Sequence, residues 1–251
     1  MDSYNGKNAI IFGGSSGIGL STADLLSRRG AKVTIADIKA PAQTGFDGMS
    51  WVRCDVREES QIEAAVREAS ADGNLHWLVY SAGIQHYGTV VNTAADEYDL
   101  VQAVNARGAF LAAKASIPQM RQGGAVVLVS SVQALACQER VAAYAASKGT
   151  LEALARAMAI DHAKDNVRVN SVMPGTVDTP MVRSSADSLR GNGPVEDVLQ
   201  GWGKFHPMQR VAQPEEVARV IAFLLSDEAS FLTGSSYRVD GGLLAQLPVR
   251  L

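Results

Sequence analysis

A tyrosine and a lysine stand four residues apart in a run of small side chains, AAYAASKG at residues 142–149. On an α-helix this spacing places the Tyr144 and Lys148 side chains on one face, one above the other. A phenol normally loses its proton near pH ~10, which is too high for a general base at neutral pH. A lysine ammonium one turn away favours the phenolate and could make it a proton acceptor. An ordinary surface helix could carry the same pair, so the rest of the chain decides between the two interpretations.

A glycine-rich segment near the N-terminus, IFGGSSGIG at residues 11–19, joins an apolar run to a helical pattern. Gly13, Gly17 and Gly19 let the backbone turn tightly and approach a pyrophosphate, and the first amides of the helix would face that anion. The spacing is a variant of the Gly-x-Gly-x-x-Gly dinucleotide fingerprint. A purely structural turn could use the same residues, but the position between a strand and a helix favours a nucleotide.

Two aspartates end neighbouring strand patterns. Asp37 follows Gly19 by 18 residues, where a carboxylate can accept hydrogen bonds from both ribose hydroxyls of an adenosine. Asp55 follows the third apolar run and lies within reach of an adenine amino group if the strands are parallel. Aspartate is also common in turns that end strands, and this alternative is stronger for Asp55 than for Asp37.

The elements that must position these residues follow an alternating pattern of strands and helices. Seven short apolar runs, at 8–12, 32–37, 50–54, 75–81, 125–130, 167–172 and 236–240, predict strands. Helical periodicity lies between them, at 18–29, 59–70, 96–117, 142–161 and 214–225. Runs that are apolar on both faces and separated by helices predict one α/β domain, a doubly wound, Rossmann-type parallel sheet of about seven strands covered on both faces. We expect this domain to span residues 1–251, with an irregular, mobile flap at about 182–212.

Composition excludes several other classes of protein. The 251 residues are 47% hydrophobic and 20% charged, with a net charge of −3, so neither a nucleic acid nor an anionic membrane is an expected partner. Two distant cysteines and four histidines without metal-like spacing predict no disulfide framework and no metal site. No apolar run is long enough to span a bilayer, and we expect a cytoplasmic protein.

With these residues in place, nearly the whole chain resembles a short-chain dehydrogenase/reductase. The resemblance rests on seven motifs in the family's order: GGSSGIG (13–19), SAG (81–83), VNARGAF (104–110), VSS (129–131), YAASK (144–148), VNSVMPGTVDTPM (169–181) and VDGG (239–242). Two positions depart from the family pattern: Phe12 replaces the usual threonine, and Tyr80-Ser81 replaces the usual Asn-Asn. Both departures are expected to weaken hydrogen bonds that brace the sheet near the cofactor.

The resemblance implies a catalytic set of Ser131, Tyr144, Lys148 and Asn105. Tyr144 would exchange the proton of a substrate hydroxyl, and Ser131 would hydrogen-bond the reacting oxygen. Lys148 would also hold the nicotinamide ribose, and Asn105 would support a water that relays protons to Lys148. An oxidised nicotinamide nearby would further favour the phenolate. Together with the aspartates, the resemblance predicts a cofactor site of Gly13, Ser15, Ser16, Gly17, Ile18, Gly19, Asp37, Asp55, Val56, Ala82, Gly83, Tyr144, Lys148, Pro174, Gly175, Val177 and Thr179.

The predicted cofactor is NAD, because Asp37 occupies the place where NADP carries its 2′-phosphate. The predicted substrate is a small secondary alcohol or ketone, and several amides near the site favour a sugar or polyol. The expected substrate-binding residues are Ser131, Gln133, Gln85, His86, Tyr144 and Trp202. A 3-oxoacyl thioester reductase, a hydroxysteroid dehydrogenase and a non-catalytic dinucleotide sensor are the alternatives. Relatives generally form tetramers, and the alanine-rich face at 150–160 and the apolar tail at 243–251 favour a homotetramer.

Overall fold

A seven-stranded parallel sheet forms the centre of the protein in the computed structural model, which describes residues 4–42, 48–71 and 73–247. The strands are β1 (Asn8–Phe12), β2 (Lys32–Asp37), β3 (Met49–Arg53), β4 (Trp77–Tyr80), β5 (Gly124–Val129), β6 (Val167–Pro174) and β7 (Ser236–Val239). Their order is β3-β2-β1-β4-β5-β6-β7, and every neighbouring pair is parallel. The predicted doubly wound sheet of seven strands is confirmed.

Helices cover both faces of this sheet. They are α1 (Gly17–Arg28), α2 (Glu59–Ala69), α3 (Ala95–Gln102), α4 (Gly108–Ser116), α5 (Ala142–His162), α6 (Pro180–Leu189), α7 (Val195–Gly203) and α8 (Pro214–Leu225). Strand residues alternate between two cores: Ile10 and Phe12 of β1 pack on the side of α2, α4 and α5, whereas Ile11 packs on the side of α1 and α8. Burial on both sides explains the continuous apolar runs in the sequence.

The strand order reverses between β1 and β4, because the chain returns across the sheet after β3. In open parallel sheets such a reversal leaves a crevice at the carboxyl ends of the two strands. Gly13 follows β1 and Ser81 follows β4, and the Ser81 N–H donates to the Phe12 carbonyl at 2.8 Å. The fold therefore brings the glycine-rich turn and the SAG motif to one opening.

The long helix predicted at about 96–117 is interrupted in the structure. A π-helical segment, Ala103–Arg107, separates α3 from α4, and a 3-10 turn, Ile117–Gln119, follows α4. The Tyr80 hydroxyl donates a hydrogen bond to the Val104 carbonyl inside the π-helical segment. Gly108 allows this contact, since a Cβ at that position would lie 2.2 Å from the Tyr80 oxygen. The wider turn therefore has a tertiary cause that helical periodicity does not contain.

The flap predicted at 182–212 is not irregular, since α6 and α7 occupy much of it. Thr179 caps α6, its hydroxyl accepting from the Val182 N–H at 3.3 Å, and Pro180 takes the first helical position. The two ends of the segment are held together: the Asp178 N–H donates to the Ala212 carbonyl, and the Ala212 N–H donates to Thr176. The prediction of irregular structure was wrong, because its glycines and prolines lie at helix ends as well as in loops.

Arg168 of β6 holds the carboxyl end of α8. Its guanidinium donates to the carbonyls of Leu224 at 2.7 Å, Leu225 at 3.2 Å and Ser226 at 2.9 Å. These carbonyls lie at the end of the helix, where intrahelical partners run out. Burial lowers the pKa of Arg168 from its usual value, so the carbonyls must compensate a partly desolvated charge.

We expect Arg168→Met to lower the free energy of unfolding by about 2–3 kcal/mol, because buried carbonyls at the helix end lose charged donors. Urea denaturation measures this loss. Arg219→Met on the exposed side of α8 removes only the surface ion pair with Glu215 at 3.0 Å and should cost less than about 1 kcal/mol. Equal losses in the two variants would contradict the role given to Arg168.

Candidate active site

Two glycines of the turn after β1, Gly13 and Gly19, are packed too closely for a side chain. Gly13 has φ +75°, and a Cβ there would lie 2.4 Å from the Ala82 nitrogen. A Cβ on Gly19 would lie 2.1 Å from the Gly13 carbonyl oxygen. Helix α1 begins at Gly17, and its N-cap residue, Ser16, makes no capping hydrogen bond through its side chain. Backbone amides at this helix end can therefore be satisfied by a bound anion.

Asp37 closes this turn at the end of β2. One carboxylate oxygen accepts from the Ser15 N–H at 3.0 Å, and the other accepts from the Lys39 N–H at 3.2 Å. The Ser15 hydroxyl donates to the Lys39 carbonyl at 2.5 Å. An ionised carboxylate can accept about four hydrogen bonds, so Asp37 keeps capacity for a ligand while the turn fixes its direction.

Asp55, at the end of the next strand, is held by Arg57. The Arg57 Nε lies 3.0 Å from one carboxylate oxygen, and its Nη2 lies 2.5 Å from the other. This hydrogen-bonded fork holds the pKa of Asp55 below its usual value. The sequence predicts Asp55 as an adenine-binding residue, and the structure adds that Arg57 already occupies both of its oxygens.

A cavity of about 510 Å³ opens along the carboxyl ends of the strands. It contains most of the predicted cofactor residues: Gly13, Ser16, Gly17, Ile18, Asp37, Asp55, Val56, Ala82, Gly83, Tyr144, Lys148, Pro174, Gly175, Val177 and Thr179. Ser15 and Gly19 belong to the turn but do not line the cavity. Leu100, Val104 and the first turn of α6 also line the cavity, and of these positions Leu100 and Val182 lie outside every motif that the sequence analysis named.

Ser131, Tyr144 and Lys148 meet at the inner end of this cavity, and each side chain is buried. The Ser131 hydroxyl accepts from the Gln133 N–H at 3.1 Å, which leaves its own proton free to donate. Lys148 Nζ donates to the Val129 carbonyl at 2.8 Å and lies 5.4 Å from the centre of the Tyr144 ring. The helix at 142–149 is therefore an interior helix whose polar pair faces the cavity.

Burial dominates the titration of this pair in the protein without ligand. It raises the pKa of Tyr144 to about 12, although the hydrogen bond with Ser131 opposes the shift. It lowers the pKa of Lys148 to about 8, although the charge of Glu152 opposes that shift. The sequence predicts that Lys148 and an oxidised nicotinamide together lower the pKa of Tyr144. In the protein without a nicotinamide, burial raises that pKa instead, and both groups lose hydration together.

Asn105 lies in the π-helical segment and holds the chain beside Gly83. Its amide oxygen accepts from the Ile84 N–H at 2.8 Å, and its amide nitrogen donates to the Ile84 carbonyl and the Ser147 hydroxyl, each at 2.9 Å. The position of a Cβ on Gly83 would lie 3.5 Å from Asn105 Oδ1 and 3.6 Å from Lys148 Nζ. Gly83 therefore leaves an open space between these two polar groups.

The two departures from the family pattern contact each other. Phe12 and Tyr80 are register partners on β1 and β4, and their ring centres lie 6.1 Å apart. Burial raises the pKa of Tyr80 well above its usual value, so its hydroxyl stays protonated and donates to Val104. The expected weakening of the bracing near the cofactor is therefore offset by an aromatic pair and a buried hydrogen bond.

Four predicted substrate residues lie outside the cavity lining found in the described part of the chain: Gln85, His86, Gln133 and Trp202. His86 Nε2 lies 3.2 Å from a Glu97 carboxylate oxygen. Gln133 contacts Ser131 through its backbone, and Trp202 is half-buried on α7. Of the predicted set, only Ser131 and Tyr144 line the cavity. The other four stay predictions that need movement of their segments.

The residues that the structure describes contain no group of three or more His, Cys, Asp or Glu side chains that could hold a metal ion. Cys54 lines the cavity, but burial and the nearby Asp55 and Asp37 charges raise its pKa to about 12. None of the helices described is both long and apolar enough to cross a membrane.

Comparisons with known proteins agree with this geometry. A model of the short-chain dehydrogenase/reductase family, described as "Enoyl-(Acyl carrier protein) reductase", matches residues 13–244. The chain belongs to the short-chain dehydrogenase/reductase family. Oxidoreductase UcpA of Salmonella typhimurium is 34% identical over 253 residues, which covers 96% of each chain. Cyclopentanol dehydrogenase of Comamonas testosteroni is 37% identical over 257 residues, covering 98% of this chain and 100% of that protein.

A solved structure extends the likeness to the backbone. The ligand-free aldohexose dehydrogenase of Thermoplasma acidophilum has a TM-score of 0.95 and 36% sequence identity, with 100% of this chain and 99% of that chain covered. Members of the short-chain dehydrogenase/reductase family typically use a nicotinamide dinucleotide. This chain is an oxidoreductase of that family.

We expect Gly83→Ala to fold normally and to reduce turnover at least tenfold. The added methyl group makes only ordinary contacts at 3.5 and 3.6 Å, yet it fills the space between Asn105 and Lys148. Thermal unfolding and steady-state kinetics measure the two effects. Gly149→Ala is the matched control, since a Cβ there meets nothing within 4 Å. Unchanged turnover in Gly83→Ala would show that this space has no role in the reaction.

Proposed function

We propose that this protein is an NAD(H)-dependent oxidoreductase that interconverts a secondary alcohol and a ketone, with a small polyhydroxylated compound as its substrate. The observation that carries the proposal is that three buried groups, Ser131, Tyr144 and Lys148, line the same cavity as the glycine-rich turn after β1. The names of two relatives support separate parts of this proposal: cyclopentanol is a secondary alcohol, and an aldohexose is a polyhydroxylated compound.

The shape of the glycine turn fits a dinucleotide. Gly13 and Gly19 leave no room for a Cβ, and the open amides of α1 suit a pyrophosphate. Asp37 would hold the adenosine ribose, Lys148 the nicotinamide ribose, and the segment from Pro174 to Thr179 would border the nicotinamide. When bound, the nicotinamide supplies a hydride acceptor or donor.

The protein's own residues would manage the proton. In the direction of oxidation, Tyr144 takes the proton of the substrate hydroxyl, while the Ser131 hydroxyl donates a hydrogen bond to the reacting oxygen. Lys148 favours the phenolate by its charge when it is protonated. The positive charge of an oxidised nicotinamide in the cavity would also oppose the rise in the pKa of Tyr144 that burial causes. In the direction of reduction, Tyr144 returns the same proton to the new alcohol.

A polyhydroxylated substrate is supported by Gln133. Its side-chain oxygen is buried and has no hydrogen-bond partner among the described residues. A buried amide oxygen without a donor is costly. Gln133 lies outside the cavity lining, so a second hydroxyl on the substrate would provide that donor after movement of this segment. Its backbone N–H lies 3.1 Å from the Ser131 hydroxyl, which keeps the residue close to the reacting oxygen.

Helix α6 borders the cavity, and α6 and α7 of the segment at 182–212 could close over it. Met181 and Val182 of α6 line the cavity, and Arg183 connects Asp178 at 2.6 Å with Glu196 of α7 at 3.2 Å. We infer that α6 and α7 close together over a bound substrate.

Phe110 on α4 and Ile160 on α5 are 53% and 79% exposed, which supports a homotetramer formed through these helices. The apolar tail predicted to join this interface lies partly outside the described residues, which end at Leu247.

Tyr144→Phe should keep cofactor binding and lose turnover by at least about a thousandfold, since it removes only the transferable proton. Absorbance of the reduced nicotinamide with a panel of sugars, polyols, hydroxysteroids and 3-oxoacyl esters measures turnover, and calorimetry measures binding. Tyr87→Phe is the matched control outside the proposed catalytic set and should retain most activity. Near-normal turnover in Tyr144→Phe would remove this residue as the acid and base.

NAD should be preferred over NADP by at least tenfold in kcat/KM. At ~4 Å and an effective dielectric of ~20, the Asp37 carboxylate and one phosphate charge repel by about 4 kcal/mol, which solvent and salt reduce to ~2–3 kcal/mol. Asp37→Ser combined with Ile38→Arg should reverse the preference, because it removes the repulsion and adds a phosphate partner. Kinetics with both cofactors measure the ratio, and a wild-type preference for NADP would contradict the placement of Asp37.

A further inference from the structure

Glu152 lies behind the catalytic pair on the same helix. Tyr144, Lys148 and Glu152 follow one another at intervals of four residues along α5, and their exposed fractions are 8%, 4% and 6%. Successive members of such a series are displaced by about 6 Å along the helix axis. A buried carboxylate thus stands one turn beyond the buried lysine, on the side away from the tyrosine.

The carboxylate of Glu152 is held by neutral groups. One oxygen accepts from the Ser171 hydroxyl of β6 at 2.9 Å and also from the Ser236 hydroxyl of β7. The other oxygen is buried and has no hydrogen-bond partner in the described chain. None of the ion pairs between described residues includes Glu152 or Lys148. Neutral hydroxyls stabilise this charge only in part, which leaves its field free to act on Lys148.

Among the described residues, Glu152 is the charged group that acts on Lys148. Arg107, in the π-helical segment that packs against α5, is exposed and donates to the Arg57 carbonyl. Asn105 and Ser131, on the neighbouring elements, are neutral. The charge of Tyr87, when ionised, raises the pKa of Tyr144. Helix α3 packs against α5, but Asp96 and Asp99 are exposed, and Glu97 contacts His86. The Arg168 side chain of β6 is engaged at the end of α8. The charge of Glu152 favours the Lys148 ammonium.

Lys148 Nζ lies 5.4 Å from the centre of the buried Tyr144 ring, close enough for the charge of one group to affect the proton affinity of the other. After the pair has lost one proton, the remaining proton can sit on the phenol, beside a neutral amine, or on the amine, beside a phenolate. Only the second arrangement contains the base that the proposed reaction needs. A negative charge that is closer to Lys148 than to Tyr144 favours the proton on the lysine.

We propose that Glu152 is a positioning residue, whose buried carboxylate keeps the shared proton on Lys148 and thereby keeps Tyr144 available as the base. This inference rests on the proposed catalytic roles of Tyr144 and Lys148. It adds a residue that touches neither substrate nor cofactor and acts through the lysine.

Glu152→Gln removes the charge and keeps the shape of the side chain. We expect the Lys148 pKa, followed by NMR of protein with nitrogen-15-labelled lysine and assigned with Lys148→Arg, to fall by about one unit. In alcohol oxidation, the acidic limb of the kcat/KM profile should move to lower pH, because the pair loses its first proton more easily. The plateau should fall at least threefold, because less of the pair holds the phenolate. A purely structural role would lower the plateau without moving the limb.

Two controls separate charge from structure. Ser236→Ala removes a hydrogen bond to Glu152 but keeps its charge, and Asp161→Asn removes an exposed charge near the other end of α5; neither should move the limb. If Glu152→Gln does not fold, Glu152→Met has similar shape and no polar atom to satisfy, and the same shifts are expected.

An unchanged Lys148 pKa in the folded variant overturns the proposal for Glu152, whatever the kinetics show. A lowered Lys148 pKa with an unmoved kinetic limb keeps the action of Glu152 on the lysine and overturns the proposed catalytic pair instead. The NMR measurement thus decides the new inference, and the kinetic measurement decides the function on which it rests.

Discussion

A lysine ammonium held away from water is the constraint on which the rest of the site depends. Lys148 is 4% exposed, and burial of a charge is unfavourable unless neighbouring groups replace its hydration. The Val129 carbonyl accepts a hydrogen bond from Lys148, and Glu152, one turn further along α5, supplies a negative charge. The cost is visible in the pKa of Lys148, which burial lowers to about 8. This value makes the lysine able to gain or lose a proton near neutral pH, which an exposed lysine does not do.

The parallel sheet brings these groups together from distant parts of the chain. β5 ends at Val129 and delivers both the carbonyl for Lys148 and, two residues later, the Ser131 hydroxyl. β4 ends at Tyr80, whose hydroxyl fixes the π-helical segment that carries Asn105. Because all strands point the same way, their carboxyl ends form one edge, and the reversal beside β1 opens that edge to a ligand.

Much of this arrangement could be predicted from the sequence, because it depends on local patterns. The seven strands follow from apolar runs, and the glycine turn and the Tyr144–Lys148 spacing report their geometry directly. The π-helical segment could not be predicted, since it depends on a contact between Tyr80 and Val104 across 24 residues. Glu152 was missed for a similar reason: a glutamate in an alanine-rich helix is ordinary, and only the fold places it against Ser171 and Ser236. The raised pKa of Tyr144 could not be predicted either, because it depends on the burial of the whole site.

We propose that a bound oxidised dinucleotide converts the buried Tyr144 from a protonated phenol into a base. Ultraviolet difference spectroscopy of tyrosinate, recorded across a pH titration with and without NAD, tests this claim most directly. We expect the Tyr144 phenolate to form near pH 12 in the free protein and at least two pH units lower with NAD bound. The shifted signal should be absent from Tyr144→Phe. A tyrosinate titration that NAD leaves unchanged, or that persists in Tyr144→Phe, would contradict the account.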